Sequence, residues 1–204
     1  MNLPNKLTVG RMFAIPLIII LSLITKLDEI VITSANNYII SLQDYLILGV
    51  FLIAAFTDFL DGYLARKHNL ITNFGKFMDP LADKLLVLAA MIVLLEKGRF
   101  VAFNFNLGFV ITIILAREFM VTGMRLLAVD NNVVIAASKL GKLKTISQML
   151  MIVVLILNAF PITFLGSFAR DLTILIVITI AGLLTLISGI DYFEKNKELI
   201  TKSK

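Results

Sequence analysis

Six apolar stretches make up most of this chain, and each is close to the roughly 20 residues that a membrane-spanning helix needs. They cover residues 7–25, 45–64, 77–95, 107–127, 145–164 and 172–193. The 204 residues are 59% hydrophobic and only 16% charged, whereas soluble domains average roughly 45–50% apolar and 25% charged residues. We therefore predict a single domain, residues 1–204, that is all-α and forms an integral membrane bundle of six transmembrane helices.

The basic residues indicate how such a bundle is oriented. If both termini are cytoplasmic, 15 of the 19 Lys and Arg residues belong to the cytoplasmic side and four to the outside. The outer four are Lys26, Lys97, Arg99 and Arg170. Because Lys and Arg concentrate in cytoplasmic loops, this bias predicts a multi-pass protein of the cell membrane with both termini in the cytoplasm. The alternative for the first stretch is a signal peptide cleaved after Ala35, but no basic region precedes that stretch.

Four aspartates flank the connection between the second and third apolar stretches. Asp58 and Asp61 are three residues apart, and Asp79 and Asp83 are four apart, so on helices each pair shares a face. Two such faces turned toward each other would form an oxygen-rich cage for hard divalent cations. Taken alone, the aspartates could equally form a structural polar network, or a cation or proton path in a transporter.

The residues beside these aspartates favour an enzyme over a transporter. Gly62, Ala65 and Gly75 each lie one turn from an aspartate on the same face, which leaves room for a bulky headgroup. Arg66 adds a cation that could bind a pyrophosphate oxygen. An ion path would need no such clearing and would gain nothing from that arginine.

The spacing D-x2-D-G-x2-A-R-x8-G-x3-D-x3-D, from Asp58 to Asp83, resembles the signature of the CDP-alcohol phosphatidyltransferases, with all eight fixed positions present. The resemblance implies a homodimeric enzyme that displaces CMP from CDP-diacylglycerol at the cytoplasmic face of the membrane. It implies two divalent cations, Mg²⁺ or Mn²⁺, held by Asp58, Asp61, Asp79 and Asp83. It also implies that Asp83 is the general base for the acceptor hydroxyl.

The same resemblance implies a binding set for the CDP-lipid. Part of that set lies in the opening segment, which is similar to the P-N-x-x-T-x-x-R pattern of bacterial phosphatidyltransferases. The implied residues are Asn5, Thr8, Gly62, Ala65, Arg66 and Gly75. The segment could also be a polar cap before the first helix, and Arg11 could extend to a lipid phosphate.

Basic residues in the second half of the chain are candidates for binding the acceptor. Arg117 lies inside an apolar stretch, so Glu118, a phosphate or an aspartate must compensate its charge, and a structural ion pair is one alternative. Three lysines open the fifth stretch, either as a positive-inside anchor or as a phosphate cradle at a helix N-terminus. Both segments resemble the glycerol-3-phosphate-specific branch of the family. That resemblance implies a glycerol-3-phosphate site formed by Arg117, Arg125, Lys139, Lys142 and Lys144.

Composition narrows the remaining function classes. The absence of cysteine excludes disulfides, thiolate metal sites and a cysteine nucleophile. The net charge of +5 indicates that the protein attracts anionic membrane lipid or phosphate. It does not indicate nucleic-acid binding, because no aromatic residues that could stack on bases alternate with the basic residues. The resemblance to this family implies transfer of a phosphatidyl group to the sn-1 hydroxyl of glycerol-3-phosphate. Serine, inositol phosphate or phosphatidylglycerol as acceptor, and a cation or proton transporter, stay open as alternatives.

Overall fold

The structure is a computed structural model that describes residues 3–36, 38–68, 73–130 and 138–197. Within these ranges it does not describe the side chains of residues 3–7, 58–68, 73–77, 79, 80, 129 and 130. The described helices are α1 (Leu3–Leu23), α2 (Thr25–Asp28), α3 (Leu42–His68), α4 (Asn73–Glu96), α5 (Phe109–Asp130), α6 (Lys139–Ile156) and α7 (Ser167–Asn196). Two antiparallel hairpins pair β1 (Val31–Ala35) with β2 (Tyr38–Ser41) and β3 (Val101–Ala102) with β4 (Phe105–Asn106), and Ile162–Leu165 form a 3₁₀ helix.

The prediction of a mostly helical chain is confirmed, and each of the six apolar stretches coincides with a long helix. Two features differ from the sequence prediction. The connections contain short hairpins, one of which turns at Phe103 and Asn104 with φ of 50° and 64°, as a two-residue hairpin turn requires. The helix of the fifth apolar stretch, α6, ends at Ile156 and not near residue 164, because Asn158 and Ala159 adopt positive φ and cannot continue a right-handed helix.

Membrane-spanning character is clearest in the last helix. Among the described residues, α7 alone is long and apolar enough to cross a membrane by length and composition. Thr8–Leu23 and Leu42–Thr57 are shorter apolar helical segments, and Arg117, Glu118 and Arg125 interrupt the apolar sequence of α5. Six spans with both termini in the cytoplasm therefore stay a prediction.

The chain divides into two compact units, Met1–Arg99 with Ile152–Arg170, and Phe100–Met151 with Asp171–Lys204. In the first unit α1 packs against both α3 and α4, with Ile18, Phe51 and Leu86 fully buried. Because the chain has no cysteine, packing contacts of this kind, and no disulfide, hold these helices together. A single domain covering residues 1–204 stays a prediction.

A capping box begins α3. The Ser41 N–H donates to Asp44 Oδ2 at 3.1 Å, and the Asp44 N–H donates to Ser41 Oγ at 3.2 Å, so two backbone donors at the helix start are satisfied reciprocally. The buried Asp44 carboxylate also pairs with Lys97 at 2.8 Å and with Arg99 at 2.6 Å. These contacts tie the end of α4 to the start of α3.

Three of the four cations predicted to lie outside meet in the first unit. Lys97, Arg99 and Arg170 line one cavity of about 390 Å³, together with Asp28 and Asp44. Burial alone would raise the pKa of Asp28, but hydrogen bonds from Lys97 and Ser41 and the charges of Lys97 and Arg99 lower it below its ordinary value. At roughly 1.5 Å of rise per residue, Asp44 lies about 25 Å along α3 from Asp61. The ion network and the aspartate motif therefore occupy opposite ends of this helix.

Candidate active site

The aspartate motif lies where α3 ends and α4 begins. Because α3 ends at His68 and α4 begins at Asn73, the short connection keeps Asp58, Asp61, Asp79 and Asp83 at the same end of the two helices. Helical backbone runs through both pairs, so the predicted sharing of a face within each pair is confirmed at the backbone level.

Of the four carboxylates, only that of Asp83 lies within the described side chains, where it is half-buried. The side chains of Asp58, Asp61 and Asp79 lie outside them, and the described residues contain no cluster of three or more metal-ligating groups. The backbone register and the hard oxygen donors both suit Mg²⁺ or Mn²⁺. The residues present therefore fit a divalent-cation site in kind and in spacing.

The predicted CDP-lipid set falls mostly on residues whose side chains are not described. These are Asn5, Gly62, Ala65, Arg66 and Gly75. Thr8 is described and is buried on α1, as is Arg11, at 1% exposure each. Arg11 is thus enclosed by the protein and does not extend outward in the way that binding a lipid phosphate at the surface requires. The packing of α1 on α3 and α4 gives Thr8 and Arg11 a place among the helices that carry the aspartates.

In the second unit, Glu118 forms ion pairs with two of the cations that are predicted to bind glycerol-3-phosphate. Its Oε1 accepts from Arg117 Nη1 at 3.2 Å and also from Lys144 Nζ. All three side chains are largely buried, with exposures of 10% for Arg117, 6% for Lys144 and 16% for Glu118. The structural ion pair that was an alternative for Arg117 is therefore present. One carboxylate faces two cations, so this cluster of Arg117, Glu118 and Lys144 carries a net charge of +1.

One hydrogen-bond donor of the cluster has no acceptor within the part of the chain that the structure describes. Arg117 Nε is buried, and no hydrogen-bond partner for it occurs among the described residues. A buried guanidinium without full compensation is costly, so an anion that bound there would recover part of that cost. A phosphate group matches the planar fork of donors that an arginine presents.

The three lysines at the start of α6 differ in how far their side chains are buried. Lys139 and Lys142 are exposed, whereas Lys144 is buried in the cluster. Ser138 precedes the helix, and its Oγ accepts from the Gly141 N–H at 3.0 Å, which makes Ser138 the N-cap. Ser138 was not among the residues that the sequence analysis singled out. The S-x-x-G spacing before an apolar run was the available signal.

Arg125 has a different environment from Arg117, although the two share a face of α5. Its side chain is exposed, and its guanidinium carbon lies 6.0 Å from the centre of the Tyr192 ring. This distance is at the limit of a cation–π contact. Arg125 is thus not part of the buried cluster, and its role in binding the acceptor stays a prediction.

Comparison with known proteins identifies the family. A family model described as CDP-alcohol phosphatidyltransferase matches residues 1–188. The chain belongs to the CDP-alcohol phosphatidyltransferase family. This confirms the resemblance drawn from the aspartate motif.

Individual relatives extend over nearly the whole chain. It is 38% identical over 203 residues to a Bacillus subtilis strain 168 protein named CDP-diacylglycerol–glycerol-3-phosphate 3-phosphatidyltransferase, covering 99% of this chain and 98% of the relative. A protein of the same name from Rickettsia typhi is 41% identical over 196 residues, covering 96% and 97%. A rice protein named cardiolipin synthase (CMP-forming) is 35% identical over 164 residues, covering 76% of this chain and 46% of the relative.

Proposed function

We propose that this protein transfers the phosphatidyl group of CDP-diacylglycerol to the sn-1 hydroxyl of glycerol-3-phosphate, giving phosphatidylglycerophosphate and CMP. The observation that carries the choice of acceptor is the buried cluster of Arg117, Glu118 and Lys144, whose surplus positive charge suits a phosphate-bearing acceptor. The names of the relatives from Bacillus subtilis and Rickettsia typhi support the same reaction.

The reaction forms one P–O bond and breaks another. The acceptor oxygen attacks the phosphorus that carries diacylglycerol, and the bond from that phosphorus to the bridging oxygen breaks as CMP leaves. Asp83 takes the proton of the attacking hydroxyl. Arg66 binds a pyrophosphate oxygen of the donor, while Arg117 holds the acceptor phosphate so that its hydroxyl is oriented for attack.

The four aspartates would hold two divalent cations, Mg²⁺ or Mn²⁺. When bound, the cations neutralise the charge of the pyrophosphate. Asp58, Asp61 and Asp79 would supply oxygen ligands to the cations, and Asp83 lies one helical turn beyond Asp79. Asn5, Thr8, Gly62, Ala65 and Gly75 complete the proposed CDP-lipid site.

The protein is a multi-pass enzyme of the cell membrane with six spans, both termini and the active site on the cytoplasmic side, and it works as a homodimer. The apolar helix α7, the family and the charge bias along the chain support the membrane setting. The dimer rests on the family resemblance, and light scattering of the purified protein in detergent would test it.

The deciding experiment is a CMP-release assay. Purified protein in mixed micelles of detergent and CDP-diacylglycerol, with Mg²⁺ or Mn²⁺, is supplied in turn with glycerol-3-phosphate, phosphatidylglycerol, serine and inositol phosphate. We expect release of CMP only with glycerol-3-phosphate. CMP release with another acceptor alone would refute the proposed specificity, and ion movement across sealed vesicles without CMP release would favour the transporter.

A further inference from the structure

The last helix, α7, approaches α5 closely at two glycines. A Cβ built at Gly182 would lie 3.2 Å from Val110 Cγ1, and one built at Gly189 would lie 3.0 Å from Arg117 Cγ. Both glycines are buried, and all four residues belong to the second compact unit. The two contacts have the same spacing along each helix, so α5 and α7 run parallel here. Small residues permit this close approach of two helices.

A Cβ added at Gly189 would contact the least mobile part of the Arg117 side chain. The added Cβ would contact Cγ at 3.0 Å and Cβ at 3.8 Å, which is the stem of the arginine next to the backbone. The other end of the side chain is held by Glu118 through Nη1 at 3.2 Å. On a further side, Nη2 lies 3.7 Å from the Cβ position of Gly141 at the start of α6. A methyl group at position 189 would have to displace the stem, and the guanidinium at the far end would move further than the stem.

We propose that Gly189 is a positioning residue for the acceptor, which acts by leaving room for the stem of Arg117. The inference rests on the proposed role of Arg117 in binding the acceptor phosphate. The absence of a side chain at position 189 lets Arg117 pack between α7 and Glu118 and directs its remaining donors toward the start of α6. Gly189 follows the last residue of the family match, which ends at 188.

The test compares Gly189→Ala with Gly182→Ala. The two changes add the same methyl group to the same helix, in the same interface, at similarly tight contacts. Both raise intrinsic helix propensity equally, so their effects on thermal unfolding of the purified protein serve as the control for packing. We expect Gly189→Ala to raise KM for glycerol-3-phosphate about 10-fold, the factor for one lost hydrogen bond to a charged group. KM for CDP-diacylglycerol should not change, and Gly182→Ala should change neither.

A second comparison removes the clash and keeps the test valid if Gly189→Ala folds poorly. In an Arg117→Ala background the Cγ that the new methyl group would meet is absent, so adding Gly189→Ala should not raise KM for the acceptor further. An unchanged acceptor KM in Gly189→Ala, equal effects of the two glycine variants, or a full additional effect in the Arg117→Ala background would each overturn the inference. The proposed function would survive those results, since its own failure would appear as absent CMP release by the wild-type protein with glycerol-3-phosphate.

Discussion

Replacement of Glu118 by glutamine should destabilise the protein, because Arg117 and Lys144 both lose the carboxylate that they contact. The glutamine keeps the shape and one oxygen acceptor but removes the only carboxylate of the cluster, the one that faces Arg117 and Lys144. The charge of the cluster then rises from +1 to +2. Removal of one partner from a buried ion pair costs about 3–5 kcal/mol. Because Glu118 retains 16% exposure, the lower end of about 3 kcal/mol is the expected loss.

The expected loss of stability corresponds to a measurable shift in the midpoint of thermal unfolding. For a chain of this size, about 1 kcal/mol moves the midpoint of thermal unfolding by roughly 2–4 °C, so Glu118→Gln should lower it by about 6–12 °C. The assay is far-UV circular dichroism of the protein purified in detergent. Glycerol-3-phosphate should raise the midpoint of the variant more than that of the wild type, because an anionic phosphate offsets the added positive charge.

The control is the double variant Glu118→Gln with Lys144→Met. It returns the cluster to a charge of +1 and replaces a buried ion pair by groups of similar volume, which is often nearly neutral for stability. Part of the lost stability should therefore return, because one of the two cations that lost the carboxylate is removed while Arg117 remains. A single variant as stable as the wild type, or a double variant no more stable than the single one, would refute the charge argument.

Three further predictions test the site and the topology. Arg117→Ala should raise KM for glycerol-3-phosphate roughly 10- to 100-fold with little change for CDP-diacylglycerol, and Arg66→Ala should do the reverse; unchanged acceptor kinetics would make Arg117 purely structural. Asp83→Asn should lower kcat about 10²- to 10⁴-fold while the Kd for CDP-diacylglycerol changes little, whereas an equal loss of binding would make Asp83 a metal ligand only. Cysteines introduced at Ser34 and Asn69 should react with impermeant reagent from opposite sides of the membrane, and equal labelling would contradict six spans.

Much of the helical architecture could be predicted because its signals are local. The six apolar stretches each coincide with a helix, since hydrophobic segments of this length satisfy their backbone hydrogen bonds internally. The errors lie at the ends and in the connections. The end of α6 depends on the positive φ of Asn158 and Ala159, and apolar composition does not reveal such a backbone turn. The short hairpins were missed for the same reason, because their pairing depends on turn geometry.

The family followed from the resemblance that residue types at short spacings along the chain bear to a family signature. Asp58 to Asp83 carry that information, because i,i+3 and i,i+4 spacings on a helix translate directly into shared faces. The environment of Arg117 could not be obtained in this way. In its surroundings, Lys144 lies on another helix and Gly189 on a third, and contacts between distant segments depend on how whole helices pack. The resemblance of this spacing to a family signature therefore identified the family, whereas the packing of α5, α6 and α7 established which charges are buried together.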